Sequence, residues 1–195
     1  MTVTTPPTGA GSDVRPLRAD AQRNRARLLG AADEAFTARG TEASLDDIAR
    51  RAGVGIGTLY RHFPTREDLV DALLRSHNER LVGLGAELLD ADDPLDALHT
   101  WFRALLHHSA TYHGLATSLV EATCGKAGSL ATACQEQTAA GAALLARAQQ
   151  HGLVRADVTA DEVIDLVSAI TLVAERGQRT NGDRLLDLAL DSLRP

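Results

Sequence analysis

Aromatic side chains are scarce in this 195-residue chain: one Trp, two Tyr and three Phe, 3% of the sequence. A core of this composition must rest on Leu, Ala and Val, and Leu and Ala are strong helix formers. Few stretches alternate apolar with polar residues as half-buried strands do, which argues against a sheet. Lysine is almost missing. Lys126 is the single one and the other basic residues are Arg, a usage that points to a GC-rich genome and not to chemistry. No stretch approaches the roughly 18 uninterrupted apolar residues of a membrane-spanning helix. The start carries no apolar run behind a basic segment, so no secretion signal is expected. The expected location is the cytoplasm, where Cys124 and Cys134 would be free thiols. G-x-S-x-G, a glycine-rich phosphate loop and H-E-x-x-H are all absent, and Ser118 and Cys134 have no base at a recognisable spacing. No enzyme chemistry and no cofactor are expected.

What is present is unevenly charged. The formal net charge is −6. Residues 1–66 hold ten Arg and seven acidic residues, a net +3, whereas residues 67–195 hold ten basic and nineteen acidic residues, a net −9. A basic head on an acidic body is the distribution expected of a nucleic-acid binder.

Residues 45–63, LDDIARRAGVGIGTLYRHF, read as two short helices joined by a tight turn. Ser44 is a good N-cap, and Asp46 and Asp47 complement the positive end of the first helix. Leu45, Ile48 and Ala49 share one face. Gly53 can take the left-handed conformation that ends a helix, and Val54 plugs the corner. The second helix opens at Gly55-Ile56-Gly57-Thr58 and buries Leu59 and Phe63, one turn apart. Thr58, Arg61 and His62, with Tyr60 beside them, fall on or near the outer face. Small residues at the start of that helix allow close approach to DNA, which suits major-groove recognition. A helical hairpin that only packs is the plainer alternative.

This segment resembles the DNA-binding domain of the TetR family of bacterial transcription regulators. The likeness runs from about Arg25 to Leu73. It includes AADEAFTARG in a leading helix, Ala52-Gly53-Val54, Gly57-Thr58-Leu59-Tyr60, His62-Phe63, and Arg66-Glu67-Asp68 opening a fourth helix. Gly55 stands where the family usually has Ser, and Ile56 where a polar or basic residue is frequent. These departures bear on base preference, not on fold. The resemblance implies an all-α protein of about nine helices. It has an N-terminal three-helix helix-turn-helix DNA-binding domain and a larger helical ligand-binding and dimerisation domain. It also implies phosphate contacts from Tyr60, His62 and Arg66, helped by Thr58 and Arg27. Ser44, Gly55 and Gly57 complete the DNA-facing set. Arg61 is the candidate base reader, since a guanidinium can bond two acceptors on guanine.

Residues 1–16, rich in Thr, Pro and Gly, are expected to form a flexible tail, residues 17–64 the DNA-binding domain, and residues 65–195 the body, with 65–89 as connecting helix. The leading helix should run from about Asp20 to Arg39, with Leu28, Leu29, Ala32, Ala35 and Phe36 as its apolar stripe. Thr65 should cap the connecting helix in a capping box with Asp68. That helix continues through Leu69, Leu73, His77 and Leu81 in one register. A fifth helix follows Pro94, a break falls at His113-Gly114, and a short sixth helix spans Leu115 to Thr123. Two more are expected, from Ser129 to Gln150 and after Thr159, and a last one from Asp183 to Leu193.

The resemblance implies a ligand pocket in the body. Its candidate wall is Trp101, Phe102, Leu105, His108, Tyr112, Leu119, Cys124 and Leu145, an apolar cavity with a few polar handles; ordinary core is the alternative. His99, His107, His108 and His113 cluster in sequence. However, His107 and His108 are adjacent on a helix and point about 100° apart, so no metal site is expected. The helix after Thr159 is apolar nearly all round and needs cover on two sides. With the leucine row of the last helix it forms the candidate dimer interface: Val163, Val167, Ile170, Leu186, Leu190 and Leu193. The reading is a cytoplasmic one-component transcription regulator, a repressor by family habit. It would bind a roughly palindromic DNA operator as a homodimer and be released by a small-molecule effector, with no membrane partner. The rival is a helical protein-interaction module that does not bind DNA.

Overall fold

The computed structural model describes residues 14–40, 43–123, 129–176 and 181–195, with the side chains of 14–18, 110–123, 129–131, 133–134 and 175–176 left aside. The expected tail lies almost wholly outside these residues. Among the described residues there are eight helices and no strand. They are α1 (Val14–Arg39), α2 (Leu45–Arg51), α3 (Ile56–His62), α4 (Arg66–Leu88), α5 (Pro94–Thr123), α6 (Ser129–Gln150), α7 (Ala160–Arg176) and α8 (Gly182–Asp191).

Two boundaries differ from the sequence reading. α1 starts at Val14 and not near Asp20; Pro16 falls in its first turn, where a missing N–H costs nothing. α5 runs unbroken through His113 and Gly114, so the expected fifth and sixth helices are one. A glycine inside a helix costs only about 1 kcal/mol against alanine, too little to interrupt a helix otherwise well supplied with Leu and Ala.

The local stops and starts are those the residues demand. Ser44 caps α2 by accepting from Asp47 N at 3.4 Å. Gly53 has φ +67°. Its N–H bonds Arg50 O at 3.1 Å and the Val54 N–H bonds Ala49 O at 3.0 Å, the paired closure of a glycine-ended helix. Thr65 and Asp68 form a reciprocal capping box, each backbone N–H donating to the other's side chain at 3.1 Å. Thr159 and Glu162 repeat the device at the start of α7.

There are two apolar cores. The head core joins Leu28, Ala32 and Phe36 of α1, Ile48 of α2, Leu59 and Phe63 around α3, and Leu69, Val70 and Leu73 of α4. The body core joins Leu81 of α4 to Trp101 and Phe102 of α5, Leu144 and Leu145 of α6, Val163 and Val167 of α7, and Leu186 and Leu190 of α8. α4 therefore belongs to both. Between its two apolar stretches lie His77 and Asn78, buried and polar. Trp101 is fully buried and donates its Nε1–H to Leu81 O at 3.0 Å. It is seated on two glycines. A Cβ at Gly141 would stand 2.7 Å from its Cζ3, and one at Gly85 would stand 3.0 Å from its Nε1.

Candidate nucleic-acid interface

α3 is held by its inner face. Leu59 and Phe63 are buried in the head core, which turns the remaining side chains outward. Tyr60 is 48% exposed, the largest exposed apolar surface in the head. Arg61 is exposed beside it and pairs with none of the described residues. Thr58 and His62 are half-buried at the edges of the same face. Gly55, extended at φ −73°, ψ 151°, is the N-cap and offers no side chain to the helix end. A Cβ added at Gly55 or at Gly57 would meet nothing within 4 Å. Crowding inside the chain therefore does not require these glycines, and they leave the start of α3 bare on its outer side.

Other expected contacts are more engaged. Arg27 is exposed and bonds Asn24 on its own helix; its Nη1 lies 3.6 Å from where a Cβ on Gly53 would stand, next to the turn. Ser44 is exposed but already caps α2. Arg66 is half-buried and donates from Nη1 to Ala43 O at 2.8 Å, a strut that fixes the start of α4 against the chain entering α2. On α1, Arg25 places its guanidinium carbon 5.6 Å from the Phe63 ring centre, a cation–π contact.

The body corrects two expectations. Trp101, Phe102, Leu105 and Leu145 are core, each below a twentieth exposed, because α4, α6 and the two glycines close over them. Of the expected pocket wall, His108 borders an open cleft; the side chains of Tyr112 and Leu119, and Cys124 altogether, lie outside the described residues. The second correction concerns dimerisation. Val163, Val167, Ile170, Leu186 and Leu190 are buried within the single chain and Leu193 is half-buried, since α5 and α6 already cover that side. The uncovered apolar residues are Leu166, Leu172 and Val173 of α7 and Leu188 of α8. No group of three or more His, Cys, Asp or Glu among the described residues is placed to hold a metal ion. No helix among them is long and apolar enough to cross a membrane.

The family model for the C-terminal domain of SbtR-like transcriptional regulators matches residues 93–195, more than half of the chain. The model for bacterial regulatory proteins of the tetR family matches residues 28–73.

The chain belongs to the TetR family.

A crystal structure of a TetR transcriptional regulator from Streptomyces coelicolor superposes with a TM-score of 0.77 at 37% identity, covering 88% of this chain and 98% of that one. Among curated relatives, the probable transcriptional regulator ArpR of Pseudomonas putida is 40% identical over 94 residues, 48% of this chain and 44% of that protein. The transcriptional repressor KstR2 of Mycobacterium tuberculosis is 37% identical over 92 residues, 44% of this chain and 46% of that protein. The chain thus matches less than half the length of these two. TetR-family members are DNA-binding transcriptional regulators and not enzymes, and the tetR-family match at residues 28–73 contains α2 and α3.

Proposed function

We propose that this TetR-family regulator is a cytoplasmic repressor that binds a roughly palindromic operator as a two-fold dimer and lets go when a small molecule enters its body. The observation that carries the DNA-reading part is the bare, partner-free Arg61 next to exposed Tyr60 on a helix whose opposite face is locked into the head core. One such helix end reaches only a few base pairs. Useful affinity needs two heads about 34–36 Å apart, one turn of DNA. The repressor direction follows one relative, the transcriptional repressor KstR2.

Selection of bound sequences from random duplexes by the purified protein tests this reading. A short inverted repeat is the expected product, bound with an affinity that falls steeply with salt. Arg61→Ala should cost about 1–3 kcal/mol and relax preference at one position in each half-site. A uniform loss on every sequence would make Arg61 a phosphate contact instead. Failure to enrich any duplex would favour the protein-interaction alternative.

Dimerisation is assigned to the uncovered face of α7 and α8. Val173 and Leu188 are each about half exposed, and isologous pairing of two such faces buries them. In sedimentation runs the native chain is expected to be a dimer, and Val173→Arg with Leu188→Arg a folded monomer. A double variant that stays dimeric would move the interface elsewhere.

A further inference from the structure

Two clefts meet at Arg80. One, of about 390 Å³, lies between α1 and α4 and is bordered by Arg25, Asp33, Ser76 and Arg80 among others. The other, of about 260 Å³, lies between α4 and α5 and is lined by His77, Arg80, Leu81, Leu84, Ala104, His107 and His108. The second has an apolar floor of two Leu and one Ala, and its polar wall is all nitrogen: one guanidinium and three imidazoles, with no carboxylate among the described lining residues.

Counter-charges stand just behind that wall: Asp33 on α1, and Asp183 of α8, whose Oδ1 is 3.2 Å from His107 Nε2. Asp33 Oδ1 is 3.1 Å from His77 Nε2 and its Oδ2 is 3.7 Å from Arg80 Nη2. His77 is 9% exposed, and although its Nε2 is close to Asp33 it makes no properly directed hydrogen bond. The Arg80–Asp33 pair is long and its Arg is mostly exposed, a class of ion pair worth little. The tie between α1 and α4 is therefore easily exchanged for a better partner. On the far side His108 accepts a hydrogen bond from Gln137 of α6 at 2.9 Å. The same spot thus touches five helices: α1, α4, α5, α6 and, through Asp183 at His107, α8.

We propose that the α4–α5 cleft takes a small amphipathic carboxylate, which lays its chain on Leu81, Leu84 and Ala104, replaces Asp33 as the partner of Arg80 and His77, and so removes the polar tie between α1 and α4 while their shared apolar core stays packed. His107 and His108 already have Asp183 and Gln137 as partners, and an organic anion suits the rest of the cleft: fork geometry at the guanidinium, an acceptor for the ill-directed His77 nitrogen when its proton sits there, and an apolar floor for its tail. Release of Asp33 acts on the helix that leads into the DNA-reading unit, and linkage then requires DNA to weaken the carboxylate by the same factor. The effect on DNA rests on the repressor reading above; the binding itself does not.

Calorimetric titration of the full chain, free of DNA, with octanoate, octanamide and octylamine is the test. Octanoate is expected to bind. The amide should be about tenfold weaker or more, the scale of one charge-assisted hydrogen bond, and the amine should not bind. Arg80→Gln, a change at an exposed side chain, should weaken octanoate by a similar factor. Asp33→Asn should tighten it, because a competitor has been removed; a merely structural Asp33 would give the opposite sign. Equal binding of all three compounds, no octanoate binding at millimolar concentration, or weaker binding by Asp33→Asn would each overturn the proposal. These arms need no operator, so a failed duplex selection leaves them readable. Where an operator is found, octanoate should release it from the native chain and not from Arg80→Gln.

Discussion

Trp101→Ala is expected to remove about 3–5 kcal/mol of stability, a large part of the 5–15 kcal/mol typical of a folded domain. The indole fills the space over Gly85 and Gly141, donates to Leu81 O at 3.0 Å, and meets Phe102 edge-on with ring centres 5.2 Å apart. Its loss opens a void that α4, α5 and α6 can close only by moving against one another. Chemical denaturation followed by circular dichroism measures the effect. The glycines supply an internal check. Gly141→Ala alone pushes a methyl against the ring and should cost about 1–3 kcal/mol. In the Trp101→Ala background the same methyl has room, so its cost should largely vanish. Simple additivity of the two changes would show that Gly141 is not the seat of the indole.

Acid should weaken the protein before its carboxylates are protonated, and His108 should be a main cause. Burial, with His77 and Arg80 nearby, lowers the pKa of His108 from the ordinary imidazole value of 6.5 to about 4. Burial also lowers those of His77 and His99. In the folded chain the ring accepts from the Gln137 amide, which only an unprotonated nitrogen can do. Between the unfolded value and about pH 4 the unfolded chain therefore binds more protons than the folded one, and stability rises with pH. The contribution is complete above the unfolded value and is lost as pH falls through this window, by about 3 kcal/mol at most for His108. Thermal melts from pH 7 to pH 4 should show the decline, and His108→Gln should flatten it. A variant curve parallel to the native one would assign the decline to other groups.

The head was legible from residues alone because its signals are local. Ser44, Gly53 and Thr65 mark helix ends, and the buried Leu28, Ala32, Phe36, Ile48, Leu59 and Phe63 recur at helical spacing. The body was less legible because its decisions are made across the chain. Periodicity showed that α7 has two apolar sides but not which of them the chain itself covers, and Val163, Val167 and Ile170 turned out to be the inner one. An aromatic cluster reads alike as pocket wall or as core. Gly85 and Gly141, distant in sequence, are what make Trp101 core. One signal was available and unused: His77 sits in the register of Leu69, Leu73 and Leu81, a polar group in an apolar stripe, and there α1, α4 and α5 meet around Asp33 and Arg80.

Because α4 threads both cores, the chain's one indole is a local witness. Trp101 is seated wholly among body residues, while no tryptophan lies within the set gathered around Phe36 and Phe63. Its emission follows the half that would hold an effector. The DNA-reading half reaches that light through α4, on which the indole rests at Leu81 and Gly85.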